Sequence, residues 1–128
     1  MNVLIKQARI VAPHSGNHGR IADIFIEDGI IRKIEDTITV ENTKVLQAEN
    51  LHVSIGWMDV FANFSDPGLE QNESIDTGAA SAAAGGFTHV MLVPNTSPVI
   101  SAKAQVEYIL KKAEGHSVSI YPIGAVTQ

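Results

Sequence analysis

From residue 53 onward, strand-like and helix-like stretches take turns: strand, helix, strand, helix, strand. This alternation constrains the fold more than any other feature, because strands joined through helices pack as parallel layers with right-handed crossovers. Residues 57–64 read as the first strand. Ser74 is placed to cap a helix over residues 75–84, stopped by Gly85-Gly86, and its small side chains suit close packing on a sheet. Residues 90–93 are continuously apolar, as a parallel strand covered on both faces requires. Ser101 is placed to cap a second helix, with Ala102, Val106, Ile109, Leu110 and Ala113 along one face and Gly115 beyond its end. Residues 118–123 supply the third strand, and Pro122 within it predicts a bulge or an exposed edge.

The first fifty residues follow a different pattern. Residues 2–11 carry Val3, Ile5, Ile10 and Val11 around a polar middle, closed by Pro13. Residues 21–34 form a hairpin: Ile24 and Ile26 lead into Glu27-Asp28-Gly29, and the chain returns through Ile30 to Ile34. Asp-Gly between apolar runs supplies the positive φ angles a tight turn needs. Residues 43–48 read as one more strand. The chain therefore divides into an all-β part, residues 1–52, and an α/β part, residues 53–128.

Composition narrows the partners. The 128 residues carry a formal net charge of -5, with scattered basic residues, which argues against nucleic acid or an anionic membrane surface as a partner. Cysteine is absent, which excludes disulfides and thiolate metal sites. No apolar run approaches the roughly 20 residues that span a bilayer, and the start MNVLIKQARI lacks the order of a signal peptide. The expectation is a cytoplasmic protein. The alanine- and glycine-rich helix lacks both the Lys-Ser/Thr ending of a P-loop and the spacing of a dinucleotide fingerprint.

One face of the first strand is unsuited to a core. Strand alternation sets Val60, Ala62 and Phe64 on one side, and Asp59, Phe61, Asn63 and Ser65 on the other. The segments GWMDVFANFSDPG, GAASAAAGGFTHVMLVPNTSP and YPIGAVT resemble the amidohydrolase superfamily, most closely the dihydroorotases and their hydantoinase-like relatives. The resemblance covers essentially the whole chain. It implies the N-terminal part of a β-sandwich, followed by the first three β/α units of an amidohydrolase-type (β/α)8 barrel. A full barrel takes about 250 residues, so the resemblance implies an N-terminal portion, with the later ligands beyond Gln128.

In that family the first barrel strand carries Asp-x-His-x-His, then an Arg and Pro-Gly. The two imidazoles hold a divalent metal whose water attacks a ring amide, and the Arg and an Asn of the Pro-Asn-Thr turn hold the substrate. By this resemblance Asp59, Pro67-Gly68 and Asn95 match the pattern, whereas Phe61 and Asn63 stand at the metal positions and Ser65 at the Arg. Phe offers no ligand atom, Asn is a poor ligand for Zn²⁺, and Ser makes no bidentate clamp on a carboxylate. The expectation is a chain with no catalytic residue, no metal ligand and no cofactor of its own, zinc being the metal of the active family, with Asn95 a vestigial substrate contact. The implied role is a scaffold in pyrimidine biosynthesis, forming homo-oligomers and partnering aspartate carbamoyltransferase. The alternative is part of an active zinc-dependent hydrolase of cyclic amides whose remaining ligands lie beyond the chain.

Plainer readings stand beside these. Asp59 suits a structural acceptor at a strand start, and Asn95 suits a turn bonded to its own backbone. His14 and His18 flank a loop. His52, His89 and His116 each stand alone near a strand end.

Overall fold

The computed structural model describes residues 1–127, in two compact units that meet at Ile55 and Gly56. In the first, β1 (Asn2–Val11), β2 (Ile21–Glu27), β3 (Ile30–Glu35), β4 (Lys44–Leu46) and β5 (His52–Ser54) make one sheet. Its order is β3-β2-β1-β4, with β5 also on β1. The hairpin forms as expected, with Asp28 at φ 50° and Gly29 at φ 78°. The short β5 is absent from the sequence reading; its parallel pairing on β1 (Arg9 opposite His52) carries the first unit to Ile55, three residues past the expected division.

The polar middle of β1 is a bulge. Ile5 faces Ile24 and Ala8 faces Ala22, so β1 spends three residues where β2 spends two. The extra residue absorbs a break in alternation and keeps Ile5 and Ile10 on one apolar cluster with Ala22 and Ile24. Gln7 takes φ 51° there. Asp23 of β2, fully buried, accepts from the Gln7 amide (2.9 Å), the Gln7 carboxamide (3.1 Å) and the Ile38 amide (2.9 Å).

The second unit is a parallel sheet of order β6-β7-β8, formed by β6 (Trp57–Ala62), β7 (Phe87–Leu92) and β8 (Ser119–Pro122). Helices α1 (Ile75–Ala84) and α2 (Lys103–Lys112) are the crossovers. Ala62, Phe64, Val90, Leu92, Val118 and Ile120 from the strands and their ends pack on Ile75, Ala79, Ile100 and Ile109. The opposite face carries Met58, His89 and Tyr121, all exposed, so one face of the sheet is covered among the described residues, not both.

Ser74 caps α1 as expected, accepting from the Thr77 amide (3.1 Å), while the Thr77 hydroxyl accepts from the Ser74 amide (3.0 Å). The expected Ser101 cap of α2 is corrected. The helix begins after Ala102, and the Gln105 carboxamide oxygen accepts from the amides of Ser101 (2.9 Å) and Ala102 (2.7 Å). A third-turn-position side chain reaching back does the work assigned to a hydroxyl. Leu110, expected on the packed face, is exposed; Ile109 is the buried residue of α2. Pro122 lies in β8 at an edge of the three-stranded sheet. Ile123 donates to Leu92 (2.8 Å), so the nitrogen of Pro122 points away from β7 and no ladder bond is lost.

Gly78 sets the distance between α1 and the sheet. A Cβ at this buried position would stand 2.5 Å from two carbons of the Phe64 ring. Helix propensity favours Ala over Gly by up to about 1 kcal/mol, but overpacking a filled core costs about 1–3 kcal/mol, and the buried ring has little room to withdraw. Gly78→Ala is therefore expected to lower stability by about 1 kcal/mol and Gly78→Val by more, read from denaturant midpoints; a stabilised Ala variant would contradict this packing.

Candidate functional site

The loops that follow β6 and β7 meet. Ser97 donates its amide to the Pro67 carbonyl (3.0 Å). Gly68, at φ +97°, lies so close to Ser97 that a Cβ would stand 1.6 Å from the Ser97 carbonyl oxygen. No other residue type fits there. The family-like Pro-Gly and Pro-Asn-Thr segments are thus one joined structure, and Thr96, buried, fixes the second by donating its hydroxyl to the Pro98 carbonyl (2.7 Å).

Beside this junction Phe61, Asn63, Val93, Pro94, Asn95 and Val99 line a shallow concavity of about 330 Å³. The residues singled out as Phe61, Asn63 and Asn95 therefore share one surface, with Phe61 73% exposed. Asp59 does not join them. Asp59 faces Val90 and Ala62 faces Leu92, so β6 spends three residues against two of β7. This bulge breaks the expected alternation. Val60, expected on the core side, is exposed, while Ala62 and Phe64 remain buried. Asp59 instead lines a second concavity with Asn63, Phe64, Gly78 and Ala82, so that Asn63 borders both. Its carboxylate accepts from the Phe61 amide (2.8 Å), a local bond that stabilises the bulge and matches the structural reading of this residue.

The zinc implied by the resemblance can be tested against these donors. Phe61 presents a hydrocarbon ring and Asn63 a neutral carboxamide, Asp59 is turned elsewhere, and no group of three His, Cys, Asp or Glu side chains among the described residues could hold a metal ion. The donor set this chain brings does not fit zinc. The histidines are dispersed. His18 accepts from the Ala12 amide (3.2 Å), His52 pairs with the Asn50 carbonyl (2.7 Å), His89 stacks on Tyr121 with centroids 5.9 Å apart, and His116 pairs with Asp76 (3.0 Å).

The sequence reading missed the charged group beneath the loops. Asp66 is fully buried. It accepts from Lys112 Nζ (2.5 Å), the Tyr108 hydroxyl (3.0 Å) and the Ile75 amide at the start of α1 (3.1 Å). Burial pushes its carboxyl pKa up, but the bonds from Lys112, Ile75 and Tyr108 outweigh burial and hold it below the ordinary 3.8. Asp66 in turn raises Lys112 above the ordinary 10.5, against burial. The one available signal was the i, i+4 spacing of Tyr108 and Lys112, which places both on one face of α2.

Both shifts favour the folded state between the two ranges. Asp66 contributes stability that is present above pH 3.8 and lost as pH falls through its lowered folded value; Lys112 contributes stability present below pH 10.5 and lost as pH rises through its raised value. Lys112→Met is expected to cost roughly 2–4 kcal/mol at pH 7, somewhat below the range for fully buried pairs because the lysine is partly exposed. The deficit should narrow in acid, where Asp66 protonates. Urea unfolding across pH 3–8 reads both effects, and a deficit independent of pH would contradict the pairing.

Similarity to known proteins extends over the chain. Residues 52–128 match the Dihydro-orotase-like family. The dihydroorotase of Citrifermentans bemidjiense is 42% identical over 130 residues, covering 100% of this chain and 30% of that protein. That of Acetivibrio thermocellus is 43% identical over 127 residues, covering 98% and 30%. The chain thus spans about 30% of the length of the curated relatives it matches. Among solved structures, the L-hydantoinase (dihydropyrimidinase) from Arthrobacter aurescens superposes with a TM-score of 0.80 at 25% identity, covering 95% of this chain and 27% of its own. A dihydroorotase crystal structure superposes at 0.66 with 16% identity, covering 96% and 31%, a likeness of fold.

Proposed function

The chain belongs to the dihydro-orotase-like family, and from that premise we propose that it is the N-terminal part of a dihydroorotase-like protein of pyrimidine biosynthesis that has given up metal binding and hydrolysis and serves as a scaffold. One observation carries this reading: the face on which the family places two metal-binding imidazoles presents Phe61 and Asn63, beside Asn95, with no charged side chain lining the concavity. A water on a divalent metal is the nucleophile of the family's reaction, and neither residue supports it. The frame around the lost chemistry is retained in Pro67-Gly68, the Ser97 junction and Asn95, as a protein selected for its surface rather than its turnover would retain it. The partners consistent with a scaffold are a second copy of the chain and aspartate carbamoyltransferase.

The test is a chimera in which these 128 residues replace the matching portion of the Citrifermentans bemidjiense dihydroorotase. It is expected to bind substoichiometric zinc and to lose dihydroorotate hydrolysis by at least about a thousandfold, the scale of losing a metal-activated water. The same chimera with Phe61→His, Asn63→His and Ser65→Arg should recover both, which also controls for folding. Turnover near the parent's in the unrestored chimera would favour the alternative, an active enzyme using ligands from later strands.

Sedimentation of the chain across a dilution series, alone and with aspartate carbamoyltransferase, tests the scaffold role. Self-association and a co-sedimenting complex are expected, and a monomer indifferent to that enzyme would remove the role.

A further inference from the structure

The turn that carries Asn95 is held in place by very little of its own. Asn95 is exposed, and among the described residues the loop is entered through the Val93 amide on the Ala62 carbonyl (3.0 Å) and tied beyond that by the Thr96 hydroxyl on Pro98 (2.7 Å) and the Ser97 amide on Pro67 (3.0 Å). What fixes Pro67 is the residue before it. Asp66 is pinned on both oxygens, by Tyr108 on one and by Lys112 and the Ile75 amide on the other. Lys112 also donates to the Tyr108 hydroxyl (3.3 Å) and lies 5.6 Å from that ring's centroid, so the two α2 side chains brace each other. After Pro67, Gly68 abuts the Ser97 carbonyl with no room for a Cβ, and its amide is taken by Glu70 (2.8 Å).

We infer that Lys112, in the last turn of α2 and outside the concavity, is a positioning residue for Asn95, acting through Asp66, the Pro67-Gly68 step and Ser97. Each contact in that chain is a hydrogen bond or a close approach with no slack, and a buried carboxylate deprived of its cation seeks water or another donor. Asp66 can reach neither without moving, and Pro67 and Gly68 move with it. The Ser97 junction opens, and beyond the Val93 bond to Ala62 the Asn95 turn shifts against Phe61 and Asn63. Lys111, its exposed neighbour, has no such path and serves as the control. The functional weight of this inference rests on reading the concavity as a former substrate site; the mechanical claim does not.

Amide hydrogen exchange on the 128-residue chain tests the mechanical claim. In Lys112→Met the Ser97 amide should exchange at least about tenfold faster at a rate that low concentrations of urea leave unchanged, while the β7 and β8 amides of Val90 and Ile120, which report global unfolding, speed up with urea, the signature of local opening at Ser97. Tyr108→Phe, which removes one bond and keeps the ion pair, should give a smaller effect of the same pattern, and Lys112→Arg should restore protection. Lys111→Met should change nothing. Unchanged Ser97 exchange in both Lys112→Met and Tyr108→Phe, or a Ser97 rate that rises with urea as those of Val90 and Ile120 do, would overturn the inference. In the restored chimera, Lys112→Met should raise the KM for dihydroorotate by about fivefold with kcat within about twofold, the pattern of lost substrate positioning. Local opening of Ser97 without that KM change would leave the mechanical link standing and remove the concavity's standing as a substrate site.

Discussion

A single buried carboxylate organises the second unit. Asp66 collects the start of α1, the last turn of α2 and the loop after β6 onto two oxygen atoms. The last turn of α2 lies more than forty residues beyond Asp66, and the apolar contacts among these elements are non-directional. Hydrophobic packing brings the helices to the sheet but does not choose among small rotations of each; three charge-assisted bonds to one fixed group do. The cost of burying the charge is met locally by Lys112, so the arrangement is stable only as a whole. Asp23 plays a similar part in the first unit, where three donors from two segments converge on it.

Both sheets use bulges to reconcile an irregular sequence with a regular layer. On β1 the extra residue keeps Ile5 and Ile10 on a common face. On β6 the extra residue does the opposite, separating Asp59 from Phe61 so that a row contiguous in sequence is divided between two concavities, with Asn63 bordering both. An acidic side chain next to the surface of Phe61 and Asn95 is thereby withdrawn from it and spent on its own backbone.

Much of this was legible in the residues. Asp28-Gly29 announced the hairpin, Ser74 the start of α1, and the alternation after residue 52 the parallel sheet, because each rests on local backbone chemistry. The shared surface of Phe61, Asn63 and Asn95 was legible through the family pattern. What escaped were features set by distant partners. The pairing of β5 depends on ten residues of β1 being long enough to hold two short strands end to end. The bulge at Asp59 depends on the register of β7. Asp66 sits in a polar stretch, Ser65-Asp66-Pro67-Gly68, that reads as a solvated turn, and only α2, more than forty residues on, reveals it as core. Ser101 misled because a hydroxyl before a helix is a common cap, while a Gln three residues further on satisfies the same amides.

The loop after β6 closes on itself at its base: the Ser65 amide donates to the Glu73 carbonyl (3.1 Å), and Leu69 and Asn72 make their bonds within the excursion between. What must be placed accurately lies at or before Glu70, whose carboxylate takes the Gly68 amide, or at Glu73 and beyond. Residues 71–72 are therefore the tip of a branch whose two ends are already joined, and lengthening it changes the closure entropy only logarithmically. Insertions and fusions belong there: a tag, a binding peptide or a whole domain grafted between Gln71 and Asn72 would be displayed at the ends of the strands without entering the geometry that Asp66 and Ser97 fix.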